Sequence, residues 1–291
     1  MGLLIEGAAV TDAGKIRSNN EDNYYLFGNY RYDVSVSSKK ISGNSFTKQA
    51  LAAVYDGMGG EEAGETASLI AASSFIPCKK ENLREDVLYQ VQYANEAVCR
   101  EIKSRGSRIG TTAVMLYINE GKAMCCNIGD SRCYIMRDGI LRQISTDHSE
   151  AENMVRMGLL KPEEARKSKS WHKLTQHLGI FPDEFVIEPY FSERITPQEG
   201  DVFLLCSDGL TDMVMDDEIA EILGSVQDAK NAAAKLVESA LEHGGRDNVT
   251  VVVLRVCQVT FWQGMWEYIK NMPEEAWIIL FMLAVAAIII A

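Results

Sequence analysis

Two hydrophobic rhythms alternate along the chain. Residues 4–10, 51–55, 111–119, 122–128, 132–137, 202–206 and 249–256 are short runs rich in valine, leucine, isoleucine and other apolar residues, the length and composition of strands. Residues 62–76, 83–104, 150–158, 162–167, 217–223 and 228–243 predict helices; Val87, Val91, Ala94 and Val98 show the three-and-four spacing. Glu120-Gly121 and Asp138-Gly139 are hairpin-type turns, so the middle block reads as an antiparallel meander. Gly244-Gly245 marks a helix stop, and residues 11–23 read as a polar turn. Strands clustered at both ends and in the middle, with helix pairs between, predict an α+β fold of antiparallel sheets covered by helices, not a βαβ parallel sheet.

The pattern changes at residue 259. Phe261, Trp262, Met265, Trp266 and Tyr268 form an aromatic-rich linker, residues 259–272, after a domain-sized unit at 1–258. Pro273, Glu274 and Glu275 then suit the first turn of a helix, and residues 276–291 are sixteen uncharged, mostly apolar positions. A helix from Pro273 would reach roughly 28 Å, close to a ~30 Å hydrocarbon core. Residues 273–291 therefore read as a short membrane anchor, with Trp262, Trp266 and Trp277 near the headgroups; the competing reading is a core or interface helix.

Composition narrows the function. Twenty-nine Lys+Arg against 41 Asp+Glu give a net charge of −12, which argues against a nucleic-acid partner. Such acidity allows many carboxylates at one spot, provided cations sit among them. The seven cysteines are irregularly spaced, lack a Cys-x-x-Cys pair, and several lie in apolar runs, so they read as reduced thiols of a cytoplasmic domain. The first residues have neither the basic nor the apolar stretch of a signal peptide, and Glu6 stands where a myristoylation motif wants Ser or Thr.

The candidate chemistry lies in aspartates at strand ends. Asp56 follows Ala52-Ala53-Val54-Tyr55, Asp208 follows Phe203-Leu204-Leu205-Cys206-Ser207, and Asp247 precedes Asn248-Val249-Thr250-Val251. One Asp-Gly alone is a turn. Several converging carboxylates repel and are stable mainly around divalent ions, and oxygen-only ligands favour Mg²⁺ or Mn²⁺ over Zn²⁺.

These residues belong to an ordered series: Thr11-Asp12-x-Gly14-x-x-Arg17-x-x-Asn20-Glu21-Asp22, then Val54-Tyr55-Asp56-Gly57-Met58-Gly59-Gly60, Gly64-Glu65-x-Ala67-Ser68, Gly110-Thr111-Thr112-Ala113 and Gly129-Asp130-Ser131-Arg132. Asp147-His148-Ser149, Leu174-Thr175-x-x-Leu178-Gly179, Ser207-Asp208-Gly209-Leu210-x-Asp212 and Gly245-x-Asp247-Asn248-Val249-Thr250 complete it. In this series the chain resembles the protein phosphatase 2C family of metal-dependent serine/threonine phosphatases, and specifically its bacterial-type members. The resemblance covers all but the last ~35 residues. It implies a four-layer α-β-β-α sandwich and hydrolysis of phosphoserine and phosphothreonine in proteins, the substrates of a serine/threonine kinase, by a water activated between two metals. Asp56 would bridge the two Mn²⁺ or Mg²⁺ ions, with the Gly57 carbonyl on one and Asp208 and Asp247 on the other. Glu21 and Asp22 would orient waters, Asp130 and Asp212 would form a weaker third site, and Arg17 would grip the phosphate.

Two departures bear on the leaving group: Met58 stands where many eukaryotic members have His, and Glu61 where bacterial-type members often have His. A metal-bound water takes the acid's role in this reading. His148 reads as structural, and His172 and His177 as solvated. Cys126-x5-Arg132 mimics a cysteine-phosphatase loop, but Asp130 inside it would repel phosphate, and Gly57–Gly60 lacks the Gly-Lys-Ser/Thr ending of a nucleotide loop. The alternative from another class is a catalytically weak, membrane-tethered phosphoprotein-binding module.

Overall fold

Strand side chains that alternate between two apolar surroundings need a cover on each face, and here both covers exist. The computed structural model describes residues 4–45, 49–59, 63–75, 83–119 and 121–257. Its strands are β1 (Leu4–Asp12), β2 (Asn23–Leu26), β3 (Asn29–Tyr30), β4 (Ser38–Ser45), β5 (Gln49–Tyr55), β6 (Gly57–Gly59), β7 (Ile109–Thr111), β8 (Ala113–Asn119), β9 (Lys122–Ile128), β10 (Arg132–Arg137), β11 (Ile140–Gln143), β12 (Tyr190–Phe191), β13 (Val202–Cys206) and β14 (Val249–Cys257). Its helices are α1 (Gly64–Ser73), α2 (Leu83–Arg105), α3 (Glu150–Arg156), α4 (Pro162–Ala165), α5 (Asp208–Thr211), α6 (Asp216–Ser225) and α7 (Ala229–Glu242).

Two antiparallel six-stranded sheets result, in the orders β11-β10-β13-β14-β1-β4 and β12-β9-β8-β5-β2-β3, with β6 and β7 forming a separate ribbon. On β14, Val252, Leu254 and Val256 point between the sheets, where Val114, Leu116 and Ile118 of β8 meet them. Val251 and Val253 point the other way, onto Leu236, Val237 and Ala240 of α7 and Ile219 and Leu223 of α6. Met115 and Tyr117 of β8 likewise face Val87, Val91 and Ala94 of α2. The period-two strands and the 3.6-period helices thus fit as four layers, α-β-β-α, as the resemblance implies.

Helix ends follow their local chemistry. The Asp228 carboxylate caps α7 by accepting from the Asn231 N–H at 2.8 Å. The helix stops where the Gly245 N–H donates to the Ala240 carbonyl at 3.0 Å.

Strands at 122–128, 132–137 and 202–206 match the pattern residue for residue. The pattern gave no sign of β2, β3, β4, β6, β11 or β12. Residues 111–119 are two strands, β7 and β8, divided at Thr112, and β1 runs on to Asp12 before the polar loop begins. No helix among the described residues is long and apolar enough to cross a membrane. The linker and anchor expected at 259–291 lie outside the described residues, as do Gly60, Glu61 and Cys78.

Candidate metal centre

The functional residues gather at one end of the sandwich because the strands that carry them finish or start there. Asp56 sits between β5 and β6, Asp208 follows β13 by one residue after Ser207, and Asp247 precedes β14. The backbone around Asp56 is pinned from β7 and β8. Its N–H donates to Thr112 Oγ1 at 3.0 Å, and its carbonyl accepts from the Thr111 hydroxyl and the Thr112 N–H, both at 2.9 Å. Gly57 donates to the Glu21 carbonyl at 3.2 Å, and a Cβ on Gly57 would lie 2.1 Å from the Gly64 carbonyl oxygen. Only glycine lets β6, α1 and the Glu21 loop meet so closely.

Asn248 ties the other side. Its Nδ2 donates to the carbonyls of Ala13 at 3.0 Å and Asn19 at 2.7 Å, while its Oδ1 accepts from the Glu21 N–H at 2.7 Å. Gly209 is a second close approach, since a Cβ there would stand 1.9 Å from the Asn248 carbonyl oxygen. The Ser207 hydroxyl donates to Asp22 Oδ2 at 2.7 Å and accepts from the Thr250 N–H at 2.9 Å. Below Asp22, the fully buried Arg31 donates to the carbonyls of Asn20 and Asp22 at 2.6 and 2.7 Å.

The result is a concentration of negative charge with few cations. Asp56 feels Asp22, Asp208, Asp130 and Asp247, and burial with those neighbours pushes its carboxyl well above the usual range. Asp130 is pushed up the same way, by burial and then by Asp208. Burial raises Asp22 to about 7 even though Ser207 and Thr250 hydrogen-bond it. Burial and Glu65 raise Glu21, and burial and Asp208 raise Asp212. No described residue donates a hydrogen bond to the Asp56 carboxylate, and the buried Asp22 Oδ1 has no partner among the described residues. Arg17, which is exposed, reaches Asp247 Oδ2 with Nη2 at 2.7 Å.

All the sequence-predicted site residues, Arg17, Glu21, Asp22, Asp56, Gly57, Asp130, Asp208, Asp212 and Asp247, therefore fall at this end of the molecule. Hard oxygen donors that disfavour their own ionisation fit Mn²⁺ or Mg²⁺. Oxygens of Asp130 and Asp208 and a ring nitrogen of His172 lie within 4.8 Å of one another.

His172 is exposed, as the sequence reading has it, but two carboxylates that the reading did not foresee stand beside it. Its Nδ1 lies 3.3 Å from Asp208 Oδ2 and its Nε2 3.4 Å from Asp212 Oδ2, and the hydrogen bond to Asp208 raises its pKa to about 9. Its neighbour Trp171 donates Nε1–H to Asp212 Oδ1 at 3.1 Å. Both ride on the segment after α4, where no periodicity marks them; their pairing with Asp208 and Asp212 is purely tertiary. His177 departs from the solvated reading: it is half-buried, with Nδ1 2.9 Å from the Leu178 carbonyl. His148 is structural as expected, its Nδ1 accepting from the Gly129 N–H at 3.3 Å. Cys126 is fully buried and its thiol is pushed well above the usual range by that burial, so it is no nucleophile.

Asn248, Thr112, Ser207 and Thr250 were not singled out for roles. Their signal was present: polar residues inside or beside apolar strand runs.

Comparison with known proteins agrees with this geometry. A profile described as Protein phosphatase 2C matches residues 25–153 and 161–249. The chain is 32% identical over 271 residues to the serine/threonine protein phosphatase PstP of Mycobacterium tuberculosis, covering 90% of this chain but only 47% of that protein, so it spans about half the length of that relative. It is 32% identical over 258 residues to the serine/threonine phosphatase stp of Listeria innocua, covering 84% of this chain and 93% of that one. The crystal structure of the catalytic domain of PstP in complex with two manganese ions superimposes with a TM-score of 0.71 at 31% identity, over 88% of this chain and all of that one. The chain belongs to the protein phosphatase 2C family, and its fold is that of the family's serine/threonine protein phosphatases.

Proposed function

We propose that this chain removes phosphate from phosphoserine and phosphothreonine in proteins phosphorylated by a serine/threonine kinase, using two divalent cations, Mn²⁺ or Mg²⁺, at the Asp56 end of the sandwich. Asp56, Asp208, Asp247 and the Gly57 carbonyl would hold the pair, and Asp130 and Asp212 a weaker third ion. Bound there, the ions would supply a water ionised near neutral pH and positive charge facing the phosphoryl oxygens. Glu21 and Asp22 orient water at the centre. Arg17 uses Nη2 on Asp247 and keeps Nε and Nη1 for the phosphoryl group, a fork that stays charged at every working pH. Met58, half-buried on β6, has no proton to give the departing oxygen, so that proton comes from water.

The observation that carries this reading is the convergence of Asp22, Asp56, Asp130, Asp208 and Asp247 without matching cations. A phosphoprotein-binding module has no need of such repulsion. The test is hydrolysis of a phosphothreonine peptide with and without Mn²⁺. The expected result is metal-dependent turnover that Asp208→Asn lowers by about a thousandfold or more while the circular dichroism spectrum is kept. Turnover that ignores EDTA, or a near-normal Asp208→Asn enzyme, contradicts it.

The same proposal divides the chain into a catalytic unit at 1–258, a linker at 259–272 and an apolar anchor at 273–291 that tethers the catalytic unit to the cytoplasmic membrane face. Its support is the uncharged run at 276–291. The full chain should float with lipid vesicles and a chain ending at residue 258 should not. Equal partitioning of the two contradicts the anchor.

A further inference from the structure

The candidate metal centre opens into a cavity of about 630 Å³. That is the size of sites that enclose a whole small ligand, and it is roomier than one phosphoryl group requires. Three arginines line it from three separate segments: Arg17 after β1, Arg166 after α4, and Arg246 before β14. Two of them are committed. Arg17 pairs with Asp247. Arg166 donates Nη2 to the Thr211 carbonyl at 2.9 Å and lies 6.0 Å from the Trp171 ring.

Arg246 differs. Its side chain is exposed and makes no hydrogen bond, ion pair or ring contact with any described residue. Its backbone is nonetheless held in place. The Lys15 N–H donates to the Gly245 carbonyl at 2.7 Å, and Gly245 stands at φ +52 at the end of α7. The loop bearing Arg17 and the loop bearing Arg246 are thereby clamped together. A guanidinium with no partner among the described residues thus stands one residue from Asp247, lining the cavity where Arg17 would meet the phosphoryl group.

We propose that Arg246 is a subsite for a second anionic group of the substrate, carried by a residue next to the phosphoserine or phosphothreonine. The proposal rests on the phosphatase reading above. A carboxylate and a second phosphoryl group share the required chemistry, and the guanidinium fork favours the phosphoryl group because it offers more acceptor oxygens. Asp208, Asp212 and Asp247 line the same cavity and would repel a second anion. The subsite therefore works when the cations assigned to Asp208 and Asp247 offset those charges.

The test uses the full chain with Mn²⁺ and three peptides that differ only in the residue beside phosphothreonine, alanine, glutamate or phosphoserine, with the initial rate of phosphate loss read at the phosphothreonine by mass spectrometry. The wild type should prefer the phosphoserine peptide by about tenfold in kcat/KM, and the glutamate peptide by about threefold, over the alanine peptide. In Arg246→Ala all three values should fall within about twofold of each other, and Arg246→Glu should reverse the order. Because each result is a ratio within one protein, a lower fraction of folded enzyme does not alter it. Equal rates on the three peptides in the wild type, or unchanged ratios in Arg246→Ala, overturn the subsite and leave the phosphatase reading standing. Failure of the wild type to hydrolyse any of them overturns that reading and this proposal with it.

Discussion

Asp147 and Asp56 are both aspartates set into the protein near the same sheet ends, yet their surroundings are opposite. Asp147 is 6% exposed and is gripped by Arg132, whose Nε lies 2.9 Å and Nη2 2.7 Å from Oδ2, while Gln143 donates to Oδ1 at 2.9 Å. Asp56 has no such donors among the described residues; it faces Asp22, Asp208, Asp130 and Asp247. The first arrangement is complete within the chain. The second gathers like charges, which the proposed cations would offset. The difference separates scaffold from proposed site: a carboxylate whose charge is balanced by a bidentate arginine holds the fold, and one surrounded by its own kind has the surroundings that the proposed cations would offset.

The largest expected effect is on the balanced side. Arg132→Met should destabilise the protein by about 3–5 kcal/mol in denaturant unfolding, because Asp147 is left buried beside Gln143 alone. A loss below about 1 kcal/mol would show that the pair contributes little and would weaken the contrast. On the unbalanced side the sign should reverse. Asp56→Asn should stabilise the metal-free protein by about 1–2 kcal/mol, since an amide avoids the cost of burying an ionisable carboxyl among like charges. Destabilisation of the metal-free protein would mean that Asp56 is already balanced.

The same contrast also sets a slope with pH. The Asp22 carboxyl titrates at about 7 in the folded protein against 3.8 ordinarily, so the folded state holds a proton that the unfolded chain has lost. Metal-free stability should therefore fall as pH rises from about 4 to about 7. His172, raised from 6.5 to about 9, gives stability that is full below 6.5 and is lost as pH rises toward 9. With Mn²⁺ present the trend should turn upward over the acid range, because cation binding favours the ionised carboxylates. Melting temperatures across this pH range, with and without Mn²⁺, check both signs; a rise with pH in the metal-free protein contradicts the account.

Asp56 and Asp208 were legible because each follows an apolar run and adjoins a glycine, and Asp247 because it comes just before such a run, two residues after Gly245, patterns that survive in one dimension. The layering was legible for the same reason, as in the Val249–Cys257 strand, where alternate residues serve alternate faces. The Arg132–Asp147 pair was not, because fifteen residues separate the partners and only the tertiary fold joins them. The hairpin between β2 and β3 was hidden by its turn residues. Phe27 takes a left-handed φ of +49 where asparagine or aspartate would have announced the turn, and its ring packs against Gly7. The edge strands β4 and β12 were missed because residues 38–45 are largely polar and β12 is only two residues long. Trp171 and His172 gave no signal, since their partners Asp208 and Asp212 come from another segment altogether.

Calorimetric titration of the metal-free protein with Mn²⁺, with Asp56→Asn beside the wild type, addresses the centre directly. Two equivalents should bind to the wild type, and the variant should lose at least one of them and weaken the other. A wild type that takes up no Mn²⁺, or a variant that binds two equivalents as tightly as the wild type, would contradict a binuclear centre built on Asp56.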